Sequence, residues 1–207
     1  VRIGVVNEEG LLSKTYYISD HHFHHANIIE YESRPFENLS DMDTFMVSAW
    51  NATVSPEDTV IYGGDLALGS IRGYKSRITP LVASLNGKKI LVKGNHERSQ
   101  KTSRAIGFDE THSYYFKDGV LVVHDLMKQW DRLCQQINEA DYVLYGHVHR
   151  KLLDAPVVAG KKKFINICVE HLDYIPRTLE ELKEIRDKQL FTKDWEHFYE
   201  VIGGGNE

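Results

Sequence analysis

Thr15-Tyr16-Tyr17-Ile18-Ser19-Asp20-His21-His22-Phe23-His24-His25 sets a pattern that the rest of the chain repeats. Residues 15 to 19 are aromatic and β-branched in the main and read as a strand. A carboxylate and four histidines follow at once. Working outward, Thr59 to Tyr62 reads as a short strand running into Gly63-Gly64-Asp65, and Lys89 to Lys93 as one running into Gly94-Asn95-His96-Glu97. Val120 to Val123 runs into His124, and Tyr142 to Tyr145 into Gly146-His147-Val148-His149. Five strands thus end in a side chain able to bind a metal: Asp20, Asp65, Asn95, His124 and His147. In α/β folds ligands collect outside the carboxyl ends of the strands. Residues far apart in sequence are therefore expected to meet on one rim.

The intervening segments supply the helices. Residues 40 to 52 carry Met42, Phe45, Met46 and Ala49 at helical spacing behind Ser40, a plausible N-cap. Tyr74 to Leu85 is a second helix, which Pro80 should kink or split. Leu126 to Ile137 is a third, and Thr178 to Leu190 a fourth, with Thr178 and Glu181 at capping-box spacing. Tyr114 to Phe116 and Val120 to Val123 form a hairpin around Asp118-Gly119, a favoured turn pair, and Phe164 to Val169 is a further strand. Strands alternating with helices predict an α/β core, and the hairpin argues against a purely parallel sheet. One domain is expected over residues 1–207, with 1–14 and 203–207 peripheral.

Composition narrows the class. A chain of 207 residues, 42% hydrophobic and 27% charged, can bury a sizeable core without disulfides. Cys134 and Cys168 share no motif spacing, which suits a reducing interior. No run of about 20 apolar residues predicts a membrane span, and the residues from Val1 lack a basic-then-apolar leader, so the expected location is the cytoplasm. A net charge of −5 argues against long nucleic acid, whose binding relies on neutralising many phosphates. The eleven histidines are clustered, four of them within residues 21 to 25, and neither cluster is a terminal tag.

Imidazole, carboxylate and amide oxygen together suit manganese, iron, zinc or nickel, and the absence of thiolate argues against a structural zinc site. Asp20 with His22, and His147 with His149, are pairs two residues apart that can reach one ion each. Seven donors (Asp20, His22, Asp65, Asn95, His124, His147 and His149) exceed what one open ion needs. They fit two ions sharing a bridging carboxylate, for which Asp65 is central. Two such ions, ~3.5–4 Å apart, clamp an in-line displacement at phosphorus and generate a hydroxide nucleophile near neutral pH. His96 should overhang the same place as a proton donor or phosphoryl contact, with Glu97 as an orienting partner.

The ordered set Asp20-His21-His22, Gly64-Asp65, Gly94-Asn95-His96-Glu97, His124 and Gly146-His147-Val148-His149 resembles the calcineurin-like metallophosphoesterases over roughly residues 15 to 150. The resemblance implies a four-layer α-β-β-α sandwich, two mixed sheets flanked by helices. It also implies one ion on Asp20, His22 and His149, a second on Asn95, His124 and His147, Asp65 between them, and His96 as the catalytic or phosphate-contacting histidine. Manganese leads as the metal, with iron, zinc, nickel or magnesium also compatible. His22 to Ile29, Arg34-Pro35-Phe36, Trp50-Asn51 and Asn166 to Pro176 resemble a small bacterial and phage branch of that family, which has glycine where this chain has His24.

His25, Asn27 and Arg34 are candidates for substrate or second-layer contacts. For His25 and Asn27 a helix cap and its neighbour is the alternative, and Arg34 can instead pin a loop to a carboxylate. His21 is read as a spacer turned from the ions. His112, His171 and His197 are read as structural or exposed, Lys161-Lys162-Lys163 as a solvated turn, and Trp195, Phe198 and Tyr199 as helix packing. The expected activity is phosphoester hydrolysis, with phosphodiesters such as nucleotide-like or cyclic nucleotide compounds preferred as small substrates. A phosphomonoesterase, or a scaffold retaining the fold without the chemistry, is the alternative.

Overall fold

The computed structural model describes residues 13–68, 73–97, 99–151 and 163–189. The readings of residues 1–12, Lys161, Lys162, Trp195, His197, Phe198, Tyr199 and 203–207 lie outside these.

Two mixed sheets face each other. The first holds β1 (Thr15–Ile18), β2 (Thr59–Tyr62), β3 (Lys88–Val92), β4 (Glu110–His112) and β9 (Arg177–Thr178) in the order β4-β3-β2-β1-β9. Its strands are parallel except β9, which pairs antiparallel with β1. The second has the order β5-β6-β7-β8, from β5 (Tyr115–Lys117), β6 (Val120–Val123), β7 (Tyr142–Tyr145) and β8 (Lys163–Asn166). Only β5 is antiparallel there. The β5–β6 turn is the predicted pair, Asp118 and Gly119 both at positive φ (50° and 76°), as a tight hairpin of this hand requires.

Alternation along each strand sorts side chains between layers. On the outer face of the first sheet, Tyr62 meets Trp50 of α2 (Leu39–Thr53), their rings 6.2 Å apart. On the inner face Tyr17, Ile61 and Ile90 line a cleft with Tyr115 and Val120 of the second sheet. The second sheet turns Leu121, Val123, Val143 and Tyr145 outward, against Leu126, Leu133 and Ile137. The helices of the outer layers are α2, α3 (Tyr74–Ser84) and the short α4 (Gln100–Ala105) on one side, and α5 (Leu126–Gln129) and α6 (Cys134–Glu139) on the other. The last helix, α7 (Leu179–Gln189), buries Leu182, and a one-turn α1 (Ile28–Tyr31) follows the histidine cluster. Met42, Met46 and Trp50 of α2 are wholly buried, each contributing about 1.5–3 kcal/mol of transfer free energy. Among the described residues no helix is long and apolar enough to cross a membrane.

Several local expectations need correction. Asn38, not Ser40, caps α2: its side chain accepts from Asp41 N at 3.0 Å. Phe45 faces outward and remains 46% exposed, while Trp50, one turn beyond the buried Met46, is itself buried. Pro80 lies inside α3 without splitting it. The segment after His124 is two short helices joined by a tighter turn at Asp131–Leu133. β8 ends at Asn166, and a tight turn at Val169–His171 follows. The capping box at α7 is present in both directions, Thr178 N to Glu181 Oε2 at 2.8 Å and Glu181 N to Thr178 Oγ1 at 3.4 Å.

The sheets are stitched together at the carboxyl ends of their strands. Ser19, just past β1, donates to Ile167 O (2.9 Å) and accepts from Val169 N (3.1 Å), just past β8. That stitch brings the loops following β1, β2, β3, β6, β7 and β8 to one rim.

Candidate metal centre

The strand ends do not continue as extended chain. Asp20 (φ 62°), His22 (53°), Asp65 (56°), His147 (74°) and His149 (52°) all take left-handed backbone conformations. The pairs two residues apart converge for this reason and not because the chain is extended. Such a conformation costs a non-glycine residue about 1–2 kcal/mol and persists only where the surroundings over-determine it, characteristically at functional sites. Here the surroundings are neighbouring loops: Asp20 N donates to Gly64 O (2.9 Å), His22 N to Asp65 O (3.1 Å) and Phe23 N to Leu66 O (2.8 Å).

The predicted donors come together. Asp20, His22 and His149 place donor atoms within 4.8 Å of one another, as do Asp65, His124 and His147, and His22, Asp65 and His96. Asp65 is the hinge of the arrangement. Its Oδ1 accepts from His96 N (2.9 Å), which leaves Oδ2 facing His124 Nε2 (3.3 Å), His22 Nε2 (3.8 Å) and His96 Nε2 (3.8 Å). Asn95 Oδ1 lies 2.9 Å from His124 Nε2, and His124 Nδ1 donates to Gly63 O at 2.9 Å, which turns Nε2 toward the site. Asp20 is split in the same way. Oδ2 accepts from His147 N (3.0 Å) and from the buried thiol of Cys168 (3.3 Å), while the buried Oδ1 has no hydrogen-bond partner among the described residues. His22 Nε2, 3.8 Å from that Oδ1, is likewise buried without a partner. Partnerless buried donors of complementary type are costly unless something binds them, and their chemistry fits divalent ions.

Electrostatics point the same way. Burial alone would raise the Asp20 carboxyl, but His124, His22 and His149 outweigh it and hold the pKa far below the carboxylate range. Burial alone would lower His124, but Asp20 and Asp65 carry it up to about 10. Lone pairs crowded in this way need positive charge among them, which a proton on His124 or a divalent ion supplies. Glu97 is pushed up to about 7 by burial and then by Asp65; it is buried and accepts from Asp65 N (2.9 Å), Leu66 N (2.8 Å) and Gly94 N (2.6 Å). It orients the loop of Asp65 through the backbone and not His96, the partner expected for it from sequence. A Cβ at Gly94 would overlap Asp65 Oδ1, and one at Gly146 would overlap Asp20 Oδ2, so these glycines make room for the carboxylates.

The remaining predicted residues divide. His96 keeps 35% of its side chain exposed over the site. Burial lowers its pKa, Asp65 opposes, and His22 adds to the lowering. The His25 ring is 5.8 Å from that of His22, and its buried Nδ1 has no partner among the described residues. Asn27 is exposed, makes no capping bond and lies 3.4 Å from Tyr31 Oη. Arg34 is not a substrate contact: its side chain is fully buried, and it donates to Glu170 Oε1 (2.7 and 3.0 Å), His21 O (2.6 Å) and Asp20 O (2.8 Å). The loop-pinning alternative holds, with Glu170 as the carboxylate. His21 turns away as expected, stacked on Phe23 at 4.9 Å with Nδ1 3.0 Å from Tyr62 Oη. Burial, then the Arg34 charge, lowers it to about 3. His24 sits at φ 62°, where glycine is unstrained, and pairs with Asp43 at 2.9 Å. Glu170 and Cys168, both touching predicted donors, were not singled out from sequence; only the resemblance across Asn166 to Pro176 marked their segment.

No family model matches the chain. It is 33% identical over 178 residues to the uncharacterized protein MJ1445 of Methanocaldococcus jannaschii, an alignment covering 86% of this chain and 93% of the relative. The chain belongs to the MJ1445 family. A stretch of 93 residues is also 28% identical to the gene 66 protein of Mycobacterium phage L5, covering 45% of this chain and 44% of that one. The crystal structure of the protein of unknown function AQ665 from Aquifex aeolicus has the same fold, with a TM-score of 0.66 and 25% identity, covering 84% of this chain and 99% of the other. None of these names states an activity.

Proposed function

We propose that the protein is a two-metal phosphoesterase of the calcineurin-like kind, acting on phosphodiesters of nucleotide-like or cyclic nucleotide type. One observation carries this reading: Asp65 Oδ2 faces three imidazole nitrogens at 3.3–3.8 Å, between the Asp20, His22, His149 group and the His124, His147 group. Asp20, His22 and His149 would hold one divalent ion, and Asn95, His124 and His147 the other, with Asp65 shared. Manganese is the leading choice. Two such ions supply Lewis-acid charge at phosphorus and acidify water near neutral pH.

The chain's own residues do the rest. Gly63 O and the backbone N–H of His147 fix which atoms of His124 and Asp20 face inward. His96, partly exposed and tethered through its own N–H to Asp65, would give a proton to the leaving oxygen. Arg34, engaged by Glu170, is not free to serve as a guanidinium for a doubly charged monoester. A cytoplasmic setting belongs to the proposal and is supported by the two free cysteines, one of them exposed.

The test is chelation, reloading with Mn, and comparison of bis-p-nitrophenyl phosphate with p-nitrophenyl phosphate, with Asp65→Asn as control. Metal-restored diester hydrolysis that Asp65→Asn lacks is expected. Faster monoester turnover overturns the diester assignment, and failure to bind metal overturns the reading entirely.

A further inference from the structure

The end of β8 and the segment after it are tied to the candidate centre at four points. Asn166 Nδ2 donates to His149 O (2.9 Å) and Lys151 O (2.9 Å), and His171 Nε2 lies 2.9 Å from the same His149 carbonyl. Glu170 Oε1 lies 3.1 Å from His149 Nδ1. Arg34 closes the network: its Nε and one terminal nitrogen reach Glu170 Oε1, while its terminal nitrogens also hold Asp20 O and His21 O. The Arg34 and Glu170 side chains are 0% and 1% exposed. Next to His149, Arg150 donates to the carbonyls of Glu32 and Ser33, fastening that loop to the turn that delivers Arg34.

A carboxylate can only accept. Braced by a guanidinium that never gives up its proton, Glu170 stays an acceptor. It therefore selects the His149 tautomer with hydrogen on Nδ1 and leaves the Nε2 lone pair for the site. The same guanidinium holds the carbonyl of Asp20, another donor of the same group, at its left-handed turn. We propose that Glu170, braced by Arg34, is a positioning residue for the Asp20–His22–His149 ion, fixing the tautomer and ring orientation of His149 and coupling it to the Asp20 backbone. This rests on the two-ion reading above. Glu32, His149 and Glu170 also place donor atoms within 4.8 Å of one another, but a third cation there would sit beside the Arg34 charge, 2.7 Å from Glu170 Oε1.

The experiment uses the full chain and two readouts, neither of them turnover. Mn binding is followed by electron paramagnetic resonance and calorimetry for wild type, Glu170→Ala and Glu170→Gln. Second-layer partners of metal-bound histidines typically govern 10–100-fold in affinity. Glu170→Ala is expected to weaken one of two ions by about that factor and leave the other unchanged. Glu170→Gln, which restores an acceptor oxygen at the same place, should recover most of the loss. Long-range ¹⁵N–¹H spectra of metal-free protein, at a pH where His149 is neutral, should show its proton on Nδ1 in wild type and in Glu170→Gln. They should show both tautomers in Glu170→Ala. Should Glu170→Ala fail to fold, the wild-type tautomer and the Glu170→Gln affinities still decide. Wild type with the proton on Nε2, or two ions bound equally well by Glu170→Ala, overturns this assignment alone. Three ions in wild type, with one lost in Glu170→Ala, would make Glu170 a ligand and also overturn it. No ion bound by wild type overturns the two-ion reading and this assignment with it.

Discussion

Arg34→Met is a direct test of how the rim is held. The substitution keeps an unbranched chain of similar length and removes every donor. Glu170, its side chain 1% exposed, loses its countercharge, and breaking a buried ion pair from one side costs about 3–5 kcal/mol. The carbonyls of Asp20 and His21 each lose a donor, at about 1 kcal/mol or more apiece. The expected loss is therefore about 5 kcal/mol, a large part of the ~5–15 kcal/mol that stabilises an ordinary domain. For a chain of this size it corresponds to a fall in Tm of about 10–20 °C. In the double variant Arg34→Met/Glu170→Gln the orphaned charge is gone and only the carbonyls remain unpaired, so the loss should shrink to about 2 kcal/mol. The assay is urea unfolding of chelator-treated protein, which separates fold stability from metal binding. A single-variant loss below about 1 kcal/mol, or a double-variant loss equal to the sum of the singles, would refute the reasoning.

Three further outcomes are expected. Gly94→Ala, whose Cβ would overlap Asp65 Oδ1, should cost about 1–3 kcal/mol through overpacking and weaken Mn binding in a titration; unchanged affinity would show that Asp65 has room to move. His24→Gly removes the strain of φ 62° together with a partly exposed pair to Asp43, so the two changes should nearly cancel, to within about 1 kcal/mol by urea unfolding. Tyr17 is pushed up to about 12 by burial, then by Tyr115, Glu180 and Asp118. The unfolded chain releases this proton near pH 10 while the folded protein keeps it, so stability falls between pH 10 and about 12. Tyr17→Phe should flatten that fall, and an identical alkaline profile in the variant would contradict it.

The strands β1, β2, β3, β6 and β7 were legible in the sequence because short apolar and β-branched runs bounded by glycine, aspartate or histidine admit little else. The same runs made the donors legible, since each stands at the end of one, and loops beyond parallel strands gather at one rim. β4 and β9, three and two residues long, have no period to read; they exist because β3 and β1 offer them an edge. α2 was visible, but Asn38 and Ser40 are both good caps, and only the backbone geometry chose Asn38.

Within the site, residue types and spacing named Asp20, His22, Asp65, Asn95, His124, His147 and His149. They did not reveal that five of these turn into left-handed conformations, because that strain is held by hydrogen bonds from neighbouring loops. Nor did they say which of two readings applied to Arg34. That was settled by a partner 136 residues away, brought near by the stitch between β1 and β8. Local pattern fixes what a side chain can do. Which groups compete for it depends on strand order and on the packing of two sheets, and those are properties of the folded chain as a whole.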